Sequence, residues 1–127
     1  MTVTDEPLVL VVDDDAMVRR VLRLTLERAG LRVLLAENGV DALNQLATAG
    51  EPVRVLLTDI VMPEMGGVAL AERILAQKSP PKIILMSGFM HTADRLTVAG
   101  QTPPFVQKPF KGDEIAKLVW SVMGISR

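Results

Sequence analysis

Five short apolar runs recur along the chain, and none of them alternates apolar with polar residues in a regular way. The runs lie at residues 8–12, 31–35, 53–57, 83–86 and 105–106. Near-continuous apolar runs of this length are typical of strands that are buried on both faces, as they are in a parallel sheet. The pattern therefore predicts five buried strands in chain order.

Amphipathic segments separate the runs and predict helices. Apolar residues recur at helical spacing in residues 18–25, 40–47, 68–75 and 115–122. In the first segment Arg19 and Arg20 fall on the side opposite the apolar residues, and Gly30 and Gly50 stand where glycine caps would end the first two helices. Residues 92–99 carry a weaker pattern, which predicts a short fourth helix. Strands that alternate with helices indicate an α/β domain with a parallel sheet and right-handed crossovers.

Polar side chains that can carry chemistry follow the strands. Ligands of open α/β sheets bind at the carboxyl ends of the strands, so side chains at these positions converge on one crevice. The side chains in question are those of Asp13, Asp14, Asp15, Asp59, Ser87 and Lys108. We expect most of them to meet there, with Asp15 instead capping the first helix, a position that favours aspartate.

This residue set favours phosphoryl chemistry around a hard metal ion. Carboxylates brought within a few ångströms repel one another unless a cation offsets their charge, and oxygen ligands without cysteine or histidine suit Mg²⁺. A lone carboxylate such as Asp59 can act as a nucleophile towards phosphorus. Lys108 supplies a point charge, its backbone restricted by Pro109, and Ser87 supplies a hydroxyl donor.

Composition narrows the class of protein. The chain has 127 residues, a formal net charge of −1 and no cysteine, and its basic residues are scattered, so nucleic-acid binding is not expected. No apolar run approaches the roughly 20 residues that span a bilayer, and the first residues lack the features of a signal peptide. We expect one cytoplasmic domain over residues 1–127 that does not bind a membrane.

Four short motifs occur in a fixed order at the predicted strand ends. They are Val11-Val12-Asp13-Asp14, Asp59-Ile60-Val61-Met62-Pro63 with Gly67, Met86-Ser87-Gly88, and Lys108-Pro109-Phe110. Together they resemble the signature of response-regulator receiver domains, the phosphorylation switches of two-component signalling, from residue 8 to about residue 123. The resemblance implies a flavodoxin-like (βα)5 three-layer sandwich whose five-stranded parallel sheet has the order 2-1-3-4-5.

The resemblance also implies a role for each site residue. Asp59 would accept a phosphoryl group, and Asp13, Asp14, Asp59 and the backbone carbonyl of Val61 would hold Mg²⁺, or Mn²⁺ in its place. Lys108 would pair with the phosphoryl group.

Four positions are implied to control the switch and its lifetime. Ser87 would move to bond the new phosphoryl oxygens, and Phe105, an aromatic residue without a hydroxyl, would turn inward by packing alone. Val61 and Phe89 occupy positions that tune hydrolysis of the aspartyl phosphate. Because two apolar side chains cannot orient an attacking water, our hypothesis is a long-lived phosphorylated form.

The implied partners are two. A histidine kinase or histidine phosphotransfer protein would donate the phosphoryl group, and a downstream protein would dock on the face formed by the fourth helix, fifth strand and last helix. Apart from its own phosphorylation and dephosphorylation, the chain is expected to catalyse nothing. Residues 85–89 and 105–110 resemble receivers attached to hybrid histidine kinases, so a stand-alone protein and an excised receiver both remain open.

Two other functions compete with this one. A phosphatase of the haloacid-dehalogenase type would use Asp13 as its nucleophile, although it leaves Asp59 without a role and expects a further acidic motif for which Gly112-Asp113 is a poor match. An interaction module that works without phosphorylation would keep the fold, but it has no need of the acid, hydroxyl and lysine set.

Overall fold

Five strands pair in parallel into a single sheet in the computed structural model, which describes residues 6–88 and 97–124. The strands are β1 (Leu8–Val12), β2 (Arg32–Ala36), β3 (Val55–Asp59), β4 (Lys82–Ser87) and β5 (Phe105–Gln107). Their order across the sheet is β2-β1-β3-β4-β5, and every pairing is parallel. The flavodoxin-like strand order and the parallel sheet are therefore confirmed.

The helices of the described residues are α1 (Ala16–Arg28), α2 (Gly39–Thr48), α3 (Gly67–Leu75) and α4 (Gly112–Val122). Most of the short helix predicted over residues 92–99 lies outside the described residues, which resume at Thr97. Within the described part of the chain, no helix has the length and apolar character needed to cross a membrane.

Helices cover both faces of the sheet, which makes three layers. Leu8, Leu10 and Val12 of β1 pack with α2 and α3, whereas Val9 and Val11 pack with α1 and α4. All five residues of β1 are buried, as a continuous apolar run predicts for a central strand.

The ends of α1 and α2 form as the sequence predicts. Asp15 caps α1, and its carboxylate accepts hydrogen bonds from the backbone N–H groups of Met17 (2.8 Å) and Val18 (3.4 Å). Gly30 and Gly50 directly follow the C-cap residues of α1 and α2. Their φ angles of 88° and 74° lie in the left-handed region, which glycine adopts without a steric cost. Asp15 is thus confirmed as a capping residue.

The third strand lies further along the chain than the predicted 53–57. It begins at Val55 and continues through Thr58 and Asp59, which pair with Leu85 and Met86 of β4. The prediction was wrong because it ended the strand where the apolar run ends. Backbone pairing with β4 continues through two more residues, whose polar side chains are buried. Asp59 is consequently the last residue of a central strand and not part of a loop.

Candidate functional site

Asp13 lies directly after β1 and is fully buried. Its backbone N–H donates to the carbonyl of Ala36 (3.1 Å), which extends the pairing with β2 by one residue. Its Oδ1 accepts a hydrogen bond from the backbone N–H of Asp15 (2.9 Å). The Asp13 carboxylate is therefore fixed at the carboxyl edge of the sheet.

Asp59 reaches the same edge from β3. The backbone N–H of Ile60 donates to Met86 O (3.0 Å) and ties the strand end to β4, and the hydroxyl of Thr58 donates to Asp59 O (3.0 Å) within β3. The first residue of α3 packs against it, because a Cβ on Gly67 would lie 2.1 Å from Asp59 O. Glycine is required at residue 67 by this close backbone approach.

Lys108 joins the two buried carboxylates. It directly follows β5, and its backbone N–H donates to Ser87 O (2.8 Å). Its Nζ lies 2.6 Å from Asp13 Oδ2 and 3.1 Å from Asp59 Oδ2. The Lys108–Pro109 peptide bond is cis. A cation and two acids from three different strand ends thus form one ion-paired cluster, as the sequence predicts.

A third carboxylate completes an all-oxygen donor set. One carboxylate oxygen from each of Asp13, Asp14 and Asp59 lies within 4.8 Å of the others, and Asp14 is the exposed member of the group. The cluster contains three carboxylates and one ammonium group, that of Lys108, so two negative charges have no positive partner within it. These residues fit a hard divalent cation that keeps part of its solvent shell, which is how proteins hold Mg²⁺.

The protein alone compensates the charge of Asp59 incompletely. Burial raises the pKa of the Asp59 carboxyl, the hydrogen bond from Lys108 lowers it, and the charge of Asp13 raises it again, so that the balance lies above the ordinary value. Burial alone would lower the pKa of Lys108, but its hydrogen bonds to Asp13 and Asp59 outweigh burial and the pKa is raised. Lys108 therefore stays charged, while Asp59 ionises against a cost that a further cation would reduce.

The remaining predicted site residues are placed as follows. Ser87 is the buried last residue of β4, at the same edge of the sheet. The side chain of Val61 is exposed, and Phe105 is half-buried against the core layer that contains α2 and α3. Phe89 lies outside the described residues. The Val61 carbonyl as a metal ligand, the movements of Ser87 and Phe105, and the effects of Val61 and Phe89 on hydrolysis stay predictions.

One contact was missed from the sequence. Arg19 was expected on the side of α1 opposite its apolar residues, but its Nη1 turns back and donates to the backbone carbonyl of Asp13 (2.7 Å). The only signal was its position one turn after Asp15, which does not reveal where a long side chain points.

Comparisons with known proteins agree on one family. A family model of the response regulator receiver domain matches residues 9–120. The response regulator receiver protein CpdR of Brucella abortus is 42% identical over 85 residues, which is 67% of this chain and 69% of that protein. A chemotaxis protein CheY homolog of Campylobacter jejuni is 36% identical over 119 residues, which is 91% of each chain.

Solved structures give the same result. The response regulator protein TrrA of Thermotoga maritima, solved in complex with Mg²⁺-BeF, has a TM-score of 0.79 and 30% identity, and the match covers 91% of this chain and 98% of that one. With the family model spanning nearly the whole sheet and the acidic cluster lying at its carboxyl edge, the chain belongs to the response-regulator receiver domains of two-component signalling.

Proposed function

We propose that this receiver domain is a phosphorylation switch whose Asp59 takes a phosphoryl group from a phosphohistidine of a histidine kinase or phosphotransfer protein. The observation that carries the proposal is the position of the Asp59 carboxylate. It is buried, Lys108 Nζ lies 3.1 Å from it, and it lies within 4.8 Å of carboxylate oxygens of Asp13 and Asp14.

In the proposed step a carboxylate oxygen of Asp59 forms a bond to phosphorus while the bond from phosphorus to the histidine nitrogen breaks. Transfer of this kind needs positioning and neutralisation of charge more than covalent assistance. Lys108 supplies one positive charge, and the Ser87 hydroxyl at the end of β4 donates to a phosphoryl oxygen. Asp13, Asp14, Asp59 and the Val61 carbonyl would hold Mg²⁺, which when bound neutralises the remaining charge on the phosphoryl oxygens.

The phosphatase alternative fits the geometry less well. Both carboxylate oxygens of Asp13 already accept hydrogen bonds, one from the Asp15 N–H and one from Lys108, and the residue is fully buried. A nucleophile must reach the phosphorus atom, and the Asp13 side chain is the less accessible of the two, 0% exposed against 11% for Asp59. We therefore propose a phosphoacceptor that is modified once in each cycle, and not an enzyme that turns over a substrate.

An exposed apolar stripe on α1 begins near the acidic cluster. Met17, Val21 and Leu24 form a stripe along α1 with exposed fractions of 64%, 46% and 52%. The stripe begins in the first turn of α1, beside the cap residue Asp15. We propose that it packs against the protein that carries the phosphohistidine. Of the predicted output face, the fifth strand and the last helix are described as β5 and α4, whereas most of the predicted fourth helix lies outside the described residues. Docking of a downstream protein on this face stays a prediction.

Acetyl phosphate, a small phosphodonor, tests the proposal without a kinase. We expect the wild-type protein to take up close to one phosphoryl group per chain in the presence of Mg²⁺ and almost none in EDTA. Asp59→Asn should abolish uptake, whereas Asp113→Asn, which removes an exposed carboxylate from α4, should leave it unchanged. Full uptake by Asp59→Asn would contradict the proposal.

A further inference from the structure

We infer that Arg19 is a positioning residue for the metal-binding loop, and that it sets the direction of the Asp14 carboxylate. The inference rests on the proposed function, since it concerns how the acidic cluster is shaped to hold Mg²⁺. Arg19 lies in α1, is half-buried, and contacts the loop through the hydrogen bond from Nη1 to Asp13 O at 2.7 Å.

Two hydrogen bonds hold the two peptide units that flank Asp14. The carbonyl of Asp13 belongs to the unit before Asp14, and it accepts from Arg19. The N–H of Asp15 belongs to the unit after Asp14, and it donates to Asp13 Oδ1 at 2.9 Å. Because the orientations of these two units determine the backbone dihedral angles of Asp14, they also determine where its side chain starts.

Asp14 depends on this backbone support more than its neighbours do. Asp13 is buried and paired with Lys108, and Asp59 belongs to a central strand, but Asp14 is exposed. An exposed carboxylate gains no orientation from surrounding packing. The hydrogen bond from Arg19 therefore fixes the backbone at Asp14, as strand pairing fixes the backbone at Asp59.

The contact of Arg19 with a carbonyl also leaves the metal-binding oxygens available. Within the described residues, the guanidinium forms no ion pair with a carboxylate, whereas Lys108 lies within 3.1 Å of Asp13 and Asp59. If Arg19 acted only through its positive charge, its removal would strengthen the binding of a cation nearby. A positioning role has the opposite sign, because a loosened Asp14 pays more entropy when it binds.

The test measures Mg²⁺ binding by calorimetry and by the NMR shifts of the Asp14 and Asp15 amides, in wild-type protein and in Arg19→Met. We expect Mg²⁺ to bind Arg19→Met roughly tenfold more weakly, the lower end of the loss seen when residues that support metal ligands are replaced. The matched control is Arg20→Met, which removes the same charge from the exposed neighbouring position and should change the affinity little. The Mg²⁺ affinity of Arg19→Lys should lie between those of wild type and Arg19→Met, because the lysine ammonium can donate to one acceptor but lacks the planar guanidinium of arginine.

Unchanged or tighter Mg²⁺ binding by Arg19→Met would overturn the inference, and so would an equal loss in Arg20→Met. Thermal unfolding without Mg²⁺ separates positioning from misfolding, since Arg19→Lys and Arg20→Met should both remain folded. The wild-type titration separates this inference from the proposed function. If the wild-type protein fails to bind Mg²⁺ or to take up phosphoryl groups, the proposed function fails. If the wild-type protein does both and the Arg19 variants bind Mg²⁺ as tightly as it does, only the inference about Arg19 fails.

Discussion

At the end of β3, burial and the neighbouring Asp13 charge raise the pKa of Asp59 even though Lys108 donates a hydrogen bond to it. The folded protein therefore binds the Asp59 proton more readily than the unfolded chain does. The contribution of this group to stability is full below the pKa of an unfolded aspartate, about 3.9, and is lost as the pH rises through the higher folded value. At neutral pH without metal, the ionised Asp59 destabilises the fold.

Asp59→Asn should therefore raise the melting temperature at pH 7 in EDTA by a few degrees, given that about 1 kcal/mol moves it by roughly 4 °C in a domain of this size. The gain should shrink as the pH falls into the acidic range, because Asp59, with its raised pKa, takes up a proton in the wild-type protein. Circular dichroism melts of both proteins across this pH range make the comparison. A variant that is less stable than wild type at pH 7 would show that the charge of Asp59 is favourable after all.

Val61 offers a second test at the level of one side chain. It is 57% exposed and lies two residues after Asp59, where an apolar group cannot orient an attacking water. Val61→Asn should speed the release of phosphate from the phosphorylated protein severalfold. Val40→Asn, which makes the same change at an exposed position of α2, is the control and should leave the rate unchanged. An unaltered rate in Val61→Asn would count against the hypothesis of a long-lived phosphorylated form.

Sequence reasoning placed Asp13, Asp59 and Lys108 correctly because parallel strands bring their carboxyl ends to one edge whatever the details of packing. It missed the contact of Arg19 with Asp13 for the opposite reason. An arginine has a long and flexible stem, and which acceptor it reaches depends on tertiary contacts that helical periodicity does not contain.

Among the elements, the approach of α3 to β3 is the one that shapes the site most directly. A Cβ on Gly67 would lie 2.1 Å from Asp59 O, and a backbone oxygen in a central strand cannot move aside. Gly67→Ala should therefore lower the free energy of unfolding by about 3 kcal/mol and slow phosphoryl uptake in whatever fraction still folds.

Gly66→Ala is the matched control, because its Cβ would lie 3.0 Å from Ile60 O, a contact that small adjustments relieve. It should cost about 1 kcal/mol, a typical effect at a helix cap. Urea unfolding of the two variants gives both values. Equal stabilities would mean that α3 can shift away from β3 without loss.

The bounds of elements were predicted less well than their existence. The apolar run ends at Leu57, yet β3 extends to Asp59 because pairing with Met86 continues to that residue. Hydrophobicity alone ends a strand at its first polar residue, and a buried polar residue in a functional site defeats that rule.

For the whole molecule, alternation of strands and helices predicts the layers but not the order of the strands. The order 2-1-3-4-5 followed from the resemblance to receiver domains, since pairings such as β1 with β3 join residues that are far apart in the chain. Three-layer burial around β1 then follows from its uninterrupted apolar run.

Metal binding should stabilise the whole fold, because the three carboxylates come together only in the folded chain. At ten times its dissociation constant, Mg²⁺ should raise the free energy of unfolding by about 1.4 kcal/mol. Chemical denaturation with Mg²⁺, with EDTA and with NaCl at matched ionic strength measures the effect. The gain should fall in Asp14→Asn and persist in Asp113→Asn; a gain of the same size from NaCl alone would remove the case for a specific site.

The most direct measurement identifies the residue that carries the phosphoryl group. The protein is phosphorylated with acetyl phosphate and Mg²⁺, the acyl phosphate is reduced with borohydride, and peptide mass spectrometry then locates the aspartate that has become homoserine. Homoserine at position 59, absent when Mg²⁺ is replaced by EDTA, is the predicted result. Homoserine at position 13 or 14, or none at any position, would contradict the account.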